Sequence, residues 1–199
     1  MLLPDGYSDV QAGKIAAVVT HLEMLARPAP SRDPSGAWTL RRVEQPDLGW
    51  YRELHARVGA DWLWTSRLRM SDAELTPLIH AEGVEIHALE HQGGDEGLLE
   101  LDFRAPRTCE IVFFGVTAKL IGSGAGSVLM NSALKIAWSY QIDRLWLHTC
   151  TFDSPRALGF YQRFGFRPFR MQVEVIDDPR LDGTLPRETA PHVPVIVRD

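Results

Sequence analysis

The sequence predicts an α/β fold, because segments of strand character alternate with segments of helical spacing along its 199 residues. The clearest evidence is the stretch 109–140, where a β-branched and aromatic run leads through a glycine-rich turn into an apolar helical pattern. Two further apolar runs flank Gln92-Gly-Gly-Asp, which is a hairpin signal. The length and a hydrophobic content of 45% fit one domain with terminal additions.

The N-terminal part of the chain predicts two strands separated by a loop. Segment 14–24 is β-branched at its centre and favours a strand, although its apolar residues also fit helical spacing. Segment 27–36 holds three prolines and a glycine and predicts a loop. Segment 38–44 alternates between apolar and polar residues, as a half-buried strand does.

Two helices are predicted next, followed by three strands. Segment 47–58 has helical spacing and is ended by Gly59. Ser71 and Glu74 form a capping box, which predicts a short helix from there to about His80. The strands are expected at 84–90, 98–103 and 108–116.

The C-terminal half predicts a central helix at 123–140 and a strand at 144–151. Ser154 is a good N-cap and Pro155 suits the first helical position, so a second helix is expected from there to Gly165. A last strand is predicted at 168–176. Beyond it the chain is proline-rich, and we expect this tail to lie across the surface.

Charge, apolar runs and cysteine content together indicate which partners and which cellular compartment to expect. The net charge is −5 and the 21 Lys and Arg residues form no run or stripe, which disfavours duplex nucleic acid. No basic leader precedes an apolar core, and no apolar run reaches membrane-spanning length. Cys109 and Cys150 are interpreted as free thiols of a reducing compartment. We therefore expect a cytoplasmic protein with no membrane or nucleic-acid partner.

The glycine-rich turn at 122–126 is a candidate anion site. Its glycines let backbone N–H groups converge, and the dipole of the following helix adds positive potential. A phosphate or pyrophosphate suits such a turn, although a close-packed turn that binds nothing has the same spacing. A P-loop is excluded because no Lys followed by Ser or Thr comes after the glycines. The third glycine also comes one residue too early for a dinucleotide fingerprint.

Two blocks of the sequence resemble motifs of the GNAT superfamily of acyl-CoA-dependent N-acetyltransferases. The turn is similar to motif A, Arg/Gln-x-x-Gly-x-Gly/Ala, with Gly124 and Gly126 in the glycine places and Ile121 where Arg or Gln is usual. A second block is similar to motif B, Asn-x-x-Ala-x-x-x-Tyr-x-x-x-Gly-Phe, with Ser154 at the Asn place. The residues that match motif B are Ala157, Tyr161, Gly165 and Phe166.

This resemblance, which covers roughly residues 38–174, implies a fold. The expected sheet is mixed and mostly antiparallel, is splayed between two strands, and has helices on both faces. Residues 38–176 would form the acetyltransferase domain. Residues 1–37 would be a strand-and-loop extension, so that strand 14–24 is extra to the common core, and residues 177–199 a tail packed on the same domain.

The resemblance also implies acetyl-CoA as the acyl donor. Its pyrophosphate would lie on amides of the glycine turn, and its pantetheine arm would fill the splay as a strand partner. Backbone N–H groups at the end of the preceding strand would polarise the thioester carbonyl. Gly115 fits a place where another backbone approaches closely. The residues expected to bind the donor are Phe114, Gly115, Val116, Ile121, Gly122, Ser123, Gly124, Ala125, Gly126, Ser127, Ser154 and Ala157.

Acetyl transfer to an amine needs a base for the ammonium proton and an acid for the leaving thiolate. Glu110 matches the family's base, and apolar neighbours would raise its pKa; the alternative is a strand residue that faces solvent or pairs with an Arg. Tyr161 matches the family's acid toward the sulfur, with aromatic packing at helical spacing as the alternative. His148, on the strand across the splay, is a rival base.

Trp62 and Trp64 lie in the region that lines the acceptor pocket in many members of the family, although core packing is the favoured interpretation of the two rings. With His148 they are the candidate acceptor-binding residues, and the acceptor is expected to be a small-molecule amine or a peptide. His148 and Cys150 share a strand face but have no second pair of ligands, so no metal site is predicted. A homodimer is expected from the prevalence of symmetric dimers.

The resulting hypothesis is an N-acetyltransferase that moves an acetyl or other acyl group from acetyl-CoA to a primary amine by direct transfer in a ternary complex. The departures at Ile121 and Ser154 leave open a non-catalytic CoA-binding or sensor module. A nucleotide-binding protein that uses the same glycine turn is a third hypothesis.

Overall fold

A seven-stranded sheet forms the centre of the molecule, of which the computed structural model describes residues 3–29 and 33–197. Its strands are β1 (Lys14–Met24), β2 (Thr39–Arg42), β3 (Val84–His91), β4 (Gly94–Asp102), β5 (Thr108–Val116), β6 (Arg144–Cys150) and β7 (Arg167–Asp177). The order is β2-β3-β4-β5-β6-β1-β7, and β5 with β6 is the one parallel pair in it. The predicted mixed, mostly antiparallel sheet is confirmed.

Four α-helices accompany the sheet: α1 (Leu48–Gly59), α2 (Asp72–Ile79), α3 (Ala125–Ala137) and α4 (Ala157–Arg163). The capping box predicted for α2 is present. Helix α3 is shorter than predicted, because the left-handed backbone at Gly124 delays its start. Helix α4 begins at Ala157 with Arg156 as its N-cap, so the prediction that Ser154 caps it is wrong. No helix in the described ranges has both the length and the apolar character needed to cross a membrane.

The strand predictions are confirmed with small shifts at their ends. Segment 14–24 is a strand, which settles the alternative of a helix, and β2 is shorter than the predicted 38–44. The β3–β4 hairpin turns on Gln92 and Gly93, whose positive φ angles of 52° and 80° suit a two-residue turn. Of the predicted loop 27–36, residues 30–32 lie outside the described residues, and the rest is neither helix nor strand.

Helices cover both faces of the sheet, as predicted. Helices α3 and α4 pack on one face around a core that includes Ile111, Leu129 and Tyr161. Helices α1 and α2 pack on the other face, around Tyr51 and Leu75. Burial of these apolar side chains removes them from water and holds the layers together.

Strand β1, expected to be extra to the common core, lies inside the sheet. It pairs with β7 along almost its whole length and with β6 through residues 19–24. Its inward residues Ile15, Ala17 and Val19 are buried. The strand therefore joins β7 to the rest of the sheet.

The chain after β7 does not merely lie across the surface, and that expectation is wrong. Leu185, Ala190 and Val193 are buried in a cluster with β1 and with Leu63. The segment is tied down by Arg180, which is almost fully buried and donates to the carbonyl oxygens of residues 189, 190 and 193. Apolar side chains and a buried arginine make this tail part of the core.

Strands β5 and β6 part halfway along their length. Residues 108–111 pair with residues 144–147, and beyond this point the two strands have no paired residues. A bulge in β5 at Val112, opposite Glu100 and Leu101, lies at the same level. The predicted splay is confirmed, and it opens beside the glycine turn that leads into α3.

Candidate active site

The glycine turn before α3 presents backbone donors without acceptors. Gly122 and Gly124 have φ angles of 83° and 96°, a left-handed conformation that favours glycine. The N–H groups of Gly122, Gly124 and Gly126 make no hydrogen bond to residues 3–29 or 33–197. They lie at the positive end of the α3 dipole, an arrangement that can accommodate an anion.

A cavity of about 300 Å³ opens beside this turn. Ser123 and Ala125 do not line it, although they were predicted to bind the donor. The Ser123 hydroxyl instead donates to Leu120 O (2.7 Å) and accepts from Ala125 N (3.2 Å), which stiffens the turn. The other predicted donor-binding residues do line the cavity: Phe114, Gly115, Val116, Ile121, Gly122, Gly124, Gly126, Ser127, Ser154 and Ala157.

Two arginines that sequence reasoning missed, Arg156 and Arg163, line the same cavity. Ile121, at the place where the family has Arg or Gln, is 53% exposed there and carries no charge. The arginines therefore bring to the cavity the positive charge that the glycine motif lacks. Their spacing was the available signal, since residues two helical turns apart lie on one helix face.

An aromatic wall separates this cavity from a second one. Asp153 fixes the wall, because its carboxylate accepts hydrogen bonds from Trp64 Nε1 (3.1 Å), Thr149 Oγ1 (2.7 Å) and Cys150 N (2.9 Å). Asp153 is also a residue that sequence reasoning missed. The residues that line both cavities are Trp62, Trp64, Phe114, Asp153 and Tyr161.

Gly115 makes room for this wall. A Cβ atom there would lie 2.6 Å from Val58 Cγ1 and 3.2 Å from the Trp64 ring. We expected another backbone to approach Gly115 closely, but the groups that do so are two side chains. Any larger residue at this position would push Trp64 out of place.

The second cavity, of about 440 Å³, lies on the α1 side of the splay. The predicted acceptor residues Trp62, Trp64 and His148 all line it, and the two tryptophans are half-buried, which leaves part of each ring facing the opening. The remaining walls are mainly aromatic and aliphatic. The charged side chains among them are Arg67, Arg69, Asp153 and Glu174. The volume suits a small-molecule ligand.

Tyr161 lies at the meeting point of the two cavities. It is 8% exposed and contacts the rings of Phe114, Phe160 and Phe166. Its hydroxyl has no hydrogen-bond partner in the described part of the chain. Burial raises the pKa of the phenol well above its usual range, so Tyr161 stays protonated at neutral pH.

Glu110 lines neither cavity, whereas His148 faces the second one. Glu110 Oε1 lies 3.8 Å from His148 Nδ1, so the carboxylate stands behind the imidazole. Burial, followed by the charges of Asp102 and Glu100, raises the pKa of Glu110 to about 7. Desolvation of the ring, followed by nearby His21, lowers the pKa of His148. Glu110 can therefore exchange a proton near neutral pH, whereas the surroundings of His148 favour its neutral form.

A buried polar network supports the second cavity from behind. Arg67 Nη2 donates to Glu100 Oε1 (2.6 Å), and the Tyr51 hydroxyl donates to the other oxygen of Glu100. His55 is fully buried beside Trp64 (5.8 Å between rings), and neither of its ring nitrogens has a hydrogen-bond partner among the described residues. Burial lowers the pKa of His55 to about 3, so its imidazole is neutral.

Both cysteines are free, and neither is activated. Burial raises the pKa of Cys109, and it raises the pKa of Cys150 to about 11, so both thiols are protonated at neutral pH. In the ranges that the structure describes, no group of three or more His, Cys, Asp or Glu side chains could hold a metal ion.

Comparison with known proteins finds a family match for the central part of the chain. Residues 83–166 match the model of the acetyltransferase (GNAT) family. No curated protein matches the chain. An IAA acetyltransferase from Bacillus cereus is 22% identical, with 67% of this chain and 79% of that one covered and a TM-score of 0.53. An acetyltransferase from Trypanosoma brucei is 24% identical, with coverages of 68% and 96% and a TM-score of 0.52.

A putative GNAT-family acetyltransferase from Novosphingobium aromaticivorans is 15% identical, with 84% of this chain and 70% of that one covered and a TM-score of 0.58. At these identities the structures are evidence of a shared fold. The family match itself runs from the start of β3 to the end of α4 and contains both motifs, the splay and the glycine turn. Residues 83–166 are therefore similar to the acetyltransferase (GNAT) family, and the chain shares the fold of these solved acetyltransferases.

Proposed function

We propose that the chain moves an acetyl group from acetyl-CoA to a primary amine by direct transfer in a ternary complex. The observation that carries the proposal is the pair of cavities that meet at one aromatic wall. We call the cavity beside the glycine turn the donor cavity and the other the acceptor cavity. Because both reach Tyr161 and Trp64, a donor in one and an acceptor in the other meet without a covalent carrier on the protein.

The groups around the donor cavity fit the phosphates of acetyl-CoA. The free N–H groups of Gly122, Gly124 and Gly126 suit a pyrophosphate at the positive end of α3. Arg156 and Arg163 add charge that can pair with phosphate oxygens. This combination supports phosphate binding in spite of the departure at Ile121.

The splay fits the rest of the donor. Residues 112–116 of β5 have no partner on β6, so their backbone groups on that side are available to an extended ligand that adds as a strand. When bound, acetyl-CoA supplies an acyl group already activated as a thioester. Backbone N–H groups at the end of β5 would polarise its carbonyl oxygen.

Tyr161 is the proposed acid toward the departing sulfur. It lines both cavities, and its hydroxyl has no partner among residues 3–29 and 33–197 that competes for its proton. A phenol whose pKa is raised by burial is fully protonated at neutral pH and can donate.

Glu110 and His148 are the proposed base. His148 faces the acceptor cavity and, with its lowered pKa, offers a neutral ring nitrogen to the incoming amine. Glu110 stands behind it and accepts a proton near pH 7, directly or through water. The sequence analysis treated Glu110 and His148 as rival bases. Here the two act in series: His148 contacts the acceptor, and Glu110 acts through His148.

Thermal unfolding with and without ligand, combined with an assay for released thiol, tests the proposal. Acetyl-CoA should raise the melting temperature of the full chain, because a ligand selective for the native state stabilises it. A broad panel of amines should then include one that releases CoA thiol. No shift at millimolar acetyl-CoA contradicts the proposal. A shift without thiol release for any amine supports the non-catalytic CoA-binding module instead.

Two near-isosteric variants separate the roles of the side chains. Tyr161→Phe should lower turnover by about a hundredfold while donor affinity stays near that of the wild type. Glu110→Gln should lower turnover and remove the rise in rate through pH about 7 that the raised pKa of Glu110 predicts. A Tyr161→Phe variant that loses affinity instead of turnover removes Tyr161 from the acid role.

A further inference from the structure

Strand β7 forms one end of the sheet and is unusually open to solvent. It is the last strand in the order, so one of its edges has no strand neighbour in the described residues. All its residues except Ile176 are exposed along a strand of 11 residues. A long edge strand with free backbone groups is a template for pairing with another strand.

One face of β7 is also apolar. Met171 is 69% exposed, Val173 is 48% exposed and Val175 is 49% exposed. Val18 of β1 pairs with Val173 and, at 38% exposed, extends the same apolar strip. The strip borders the free edge, where monomeric proteins usually place charge or a covering loop.

We propose that β7 pairs with β7 of a second copy of the chain, antiparallel and about a two-fold axis at Gln172. In this register Arg170 lies opposite Glu174 of the partner subunit, and Glu174 lies opposite the partner subunit's Arg170. Met171 lies beside the partner subunit's Val173, which joins the two apolar strips. Opposite charges and apolar pairs directly across two strands stabilise a sheet.

The sequence of β7 favours this register over its neighbours. Centring the axis on Met171 sets Arg170 opposite Gln172 and leaves both charges without an opposite partner. Centring it on Val173 sets Arg170 opposite Ile176 and Glu174 opposite Gln172. Neither Arg170 nor Glu174 has an ion-pair partner within the described ranges, so both are available to a second copy. A two-fold interface needs such a self-complementary surface.

The proposal goes beyond acyl transfer and does not depend on it. It does bear on the same molecule's acceptor cavity, because Glu174 and Ile176 of β7 line that cavity. In the dimer, the partner subunit's Arg170 would pair with Glu174 and reduce the negative charge at the cavity. The dimer would thus contribute one residue to the surroundings of the acceptor.

Sedimentation velocity of the full chain over a range of micromolar concentrations tests the proposal. The wild type should sediment at twice the mass of one chain. Arg170→Glu and Glu174→Arg should each weaken the dimer by about tenfold or more, because each places like charges opposite one another at both symmetric positions. The double variant Arg170→Glu/Glu174→Arg should restore the dimer.

The double variant is the decisive sample. Residues 170 and 174 of one strand are about 13 Å apart, so they cannot pair within a chain and restoration requires the proposed cross-strand contact. Lys135→Glu, on the exposed side of α3, makes the same charge change elsewhere and should leave the dimer intact. Circular dichroism and melting temperature establish that each variant folds. A monomeric wild type, or a double variant no better than the single ones, overturns the proposal.

Discussion

The two cavities of the cleft are built in different ways. The donor cavity is lined mostly by two continuous stretches of chain, 114–127 and 153–163, and the first of them carries the free backbone N–H groups of the glycine turn. The acceptor cavity takes side chains from β1, from segment 62–69 and from β5, β6 and β7. A site made of local backbone can be recognised in a sequence, whereas a site made of distant side chains depends on how the whole chain packs.

The residues packed beneath the two cavities differ as well. The core under the donor cavity is apolar and belongs to α3, β5 and α4. Buried ionisable groups lie behind the acceptor cavity. Arg67 is paired with Glu100, and the ring nitrogens of His55 have no hydrogen-bond partner in the described ranges. The tail contains the buried pair of Arg180 and Asp178, and its apolar residues cluster with Leu63, which lines that cavity. We therefore expect the acceptor side to be the more sensitive to charge and pH.

The largest effect is expected from Arg180→Met. The change leaves the buried Asp178 carboxylate unpaired and deprives three carbonyl oxygens of their donor. Breaking a buried ion pair on one side costs about 3–5 kcal/mol of unfolding free energy. Chemical denaturation measures this loss, and proteolysis of the tail should become faster.

Arg107→Met is the matched control for this variant. Arg107 makes a similar two-bond contact with Asp143, but both side chains are more than half exposed. We expect a much smaller loss of stability than for Arg180→Met, since solvent already screens the pair. Equal losses in the two variants would mean that the tail is not part of the acceptor-side core.

The next largest effect is expected on the donor side, from Gly124→Val. The new side chain would have to adopt φ near 96° and approach Pro34 Cβ at 3.1 Å, so the turn must distort. We expect a loss of about 1–3 kcal/mol in stability and at least a tenfold loss of donor affinity, measured by calorimetric titration with CoA. Gly93→Val, in the β3–β4 hairpin, has a similar φ of 80° and open space around it. It should lose stability without losing affinity.

A smaller effect, dependent on pH, is expected from His55→Leu. The folded state holds His55 neutral down to pH about 3, whereas the unfolded chain takes up a proton near pH 6.5. As the pH falls below 6.5, the wild type should therefore lose about 1.4 kcal/mol of unfolding free energy per pH unit through this residue. The variant lacks this loss. Parallel stability curves for the two proteins between pH about 5 and 7 would contradict the buried, neutral histidine.

The smallest effect is expected from Arg163→Gln. Arg163 is exposed and faces the donor cavity, so its attraction for a phosphate is screened by water. Donor affinity should fall about threefold to tenfold at low ionic strength and less at high salt. Arg187→Gln, at an exposed position of the tail that lines neither cavity, should change nothing. If donor affinity does not change in Arg163→Gln, we would conclude that backbone groups alone bind the donor in this cavity.

The elements of the fold were largely predictable, because local patterns fixed them. A β-branched and aromatic run identified β5, and the capping box placed α2, since both signals depend on neighbouring residues. The start of α4 was misplaced because Ser154 has the right chemistry for a cap but not the position. The tail was misjudged, because the value of Arg180 depends on carbonyl groups that only the folded chain brings to it.

The same distinction between local and long-range features applies to the candidate site. Gly122, Gly124 and Gly126 and the aromatic at position 161 follow from motifs, since each acts through local conformation or a fixed place on a helix. Two contacts could not be predicted from the sequence: the hydrogen bond from Trp64 to Asp153, and the approach of His148 to Glu110. These contacts join residues that are 89 and 38 positions apart, and no local pattern records them.

The sequence by itself determined the glycine turn, the elements that surround it and the chemical character of the acyl-donor side. Only the tertiary structure decided that β1 would enter the sheet between β6 and β7, that the tail would be buried, and which side chains would face the acceptor. The reason is physical. Backbone conformation depends on near neighbours, whereas the proximity of two side chains depends on how every layer between them packs.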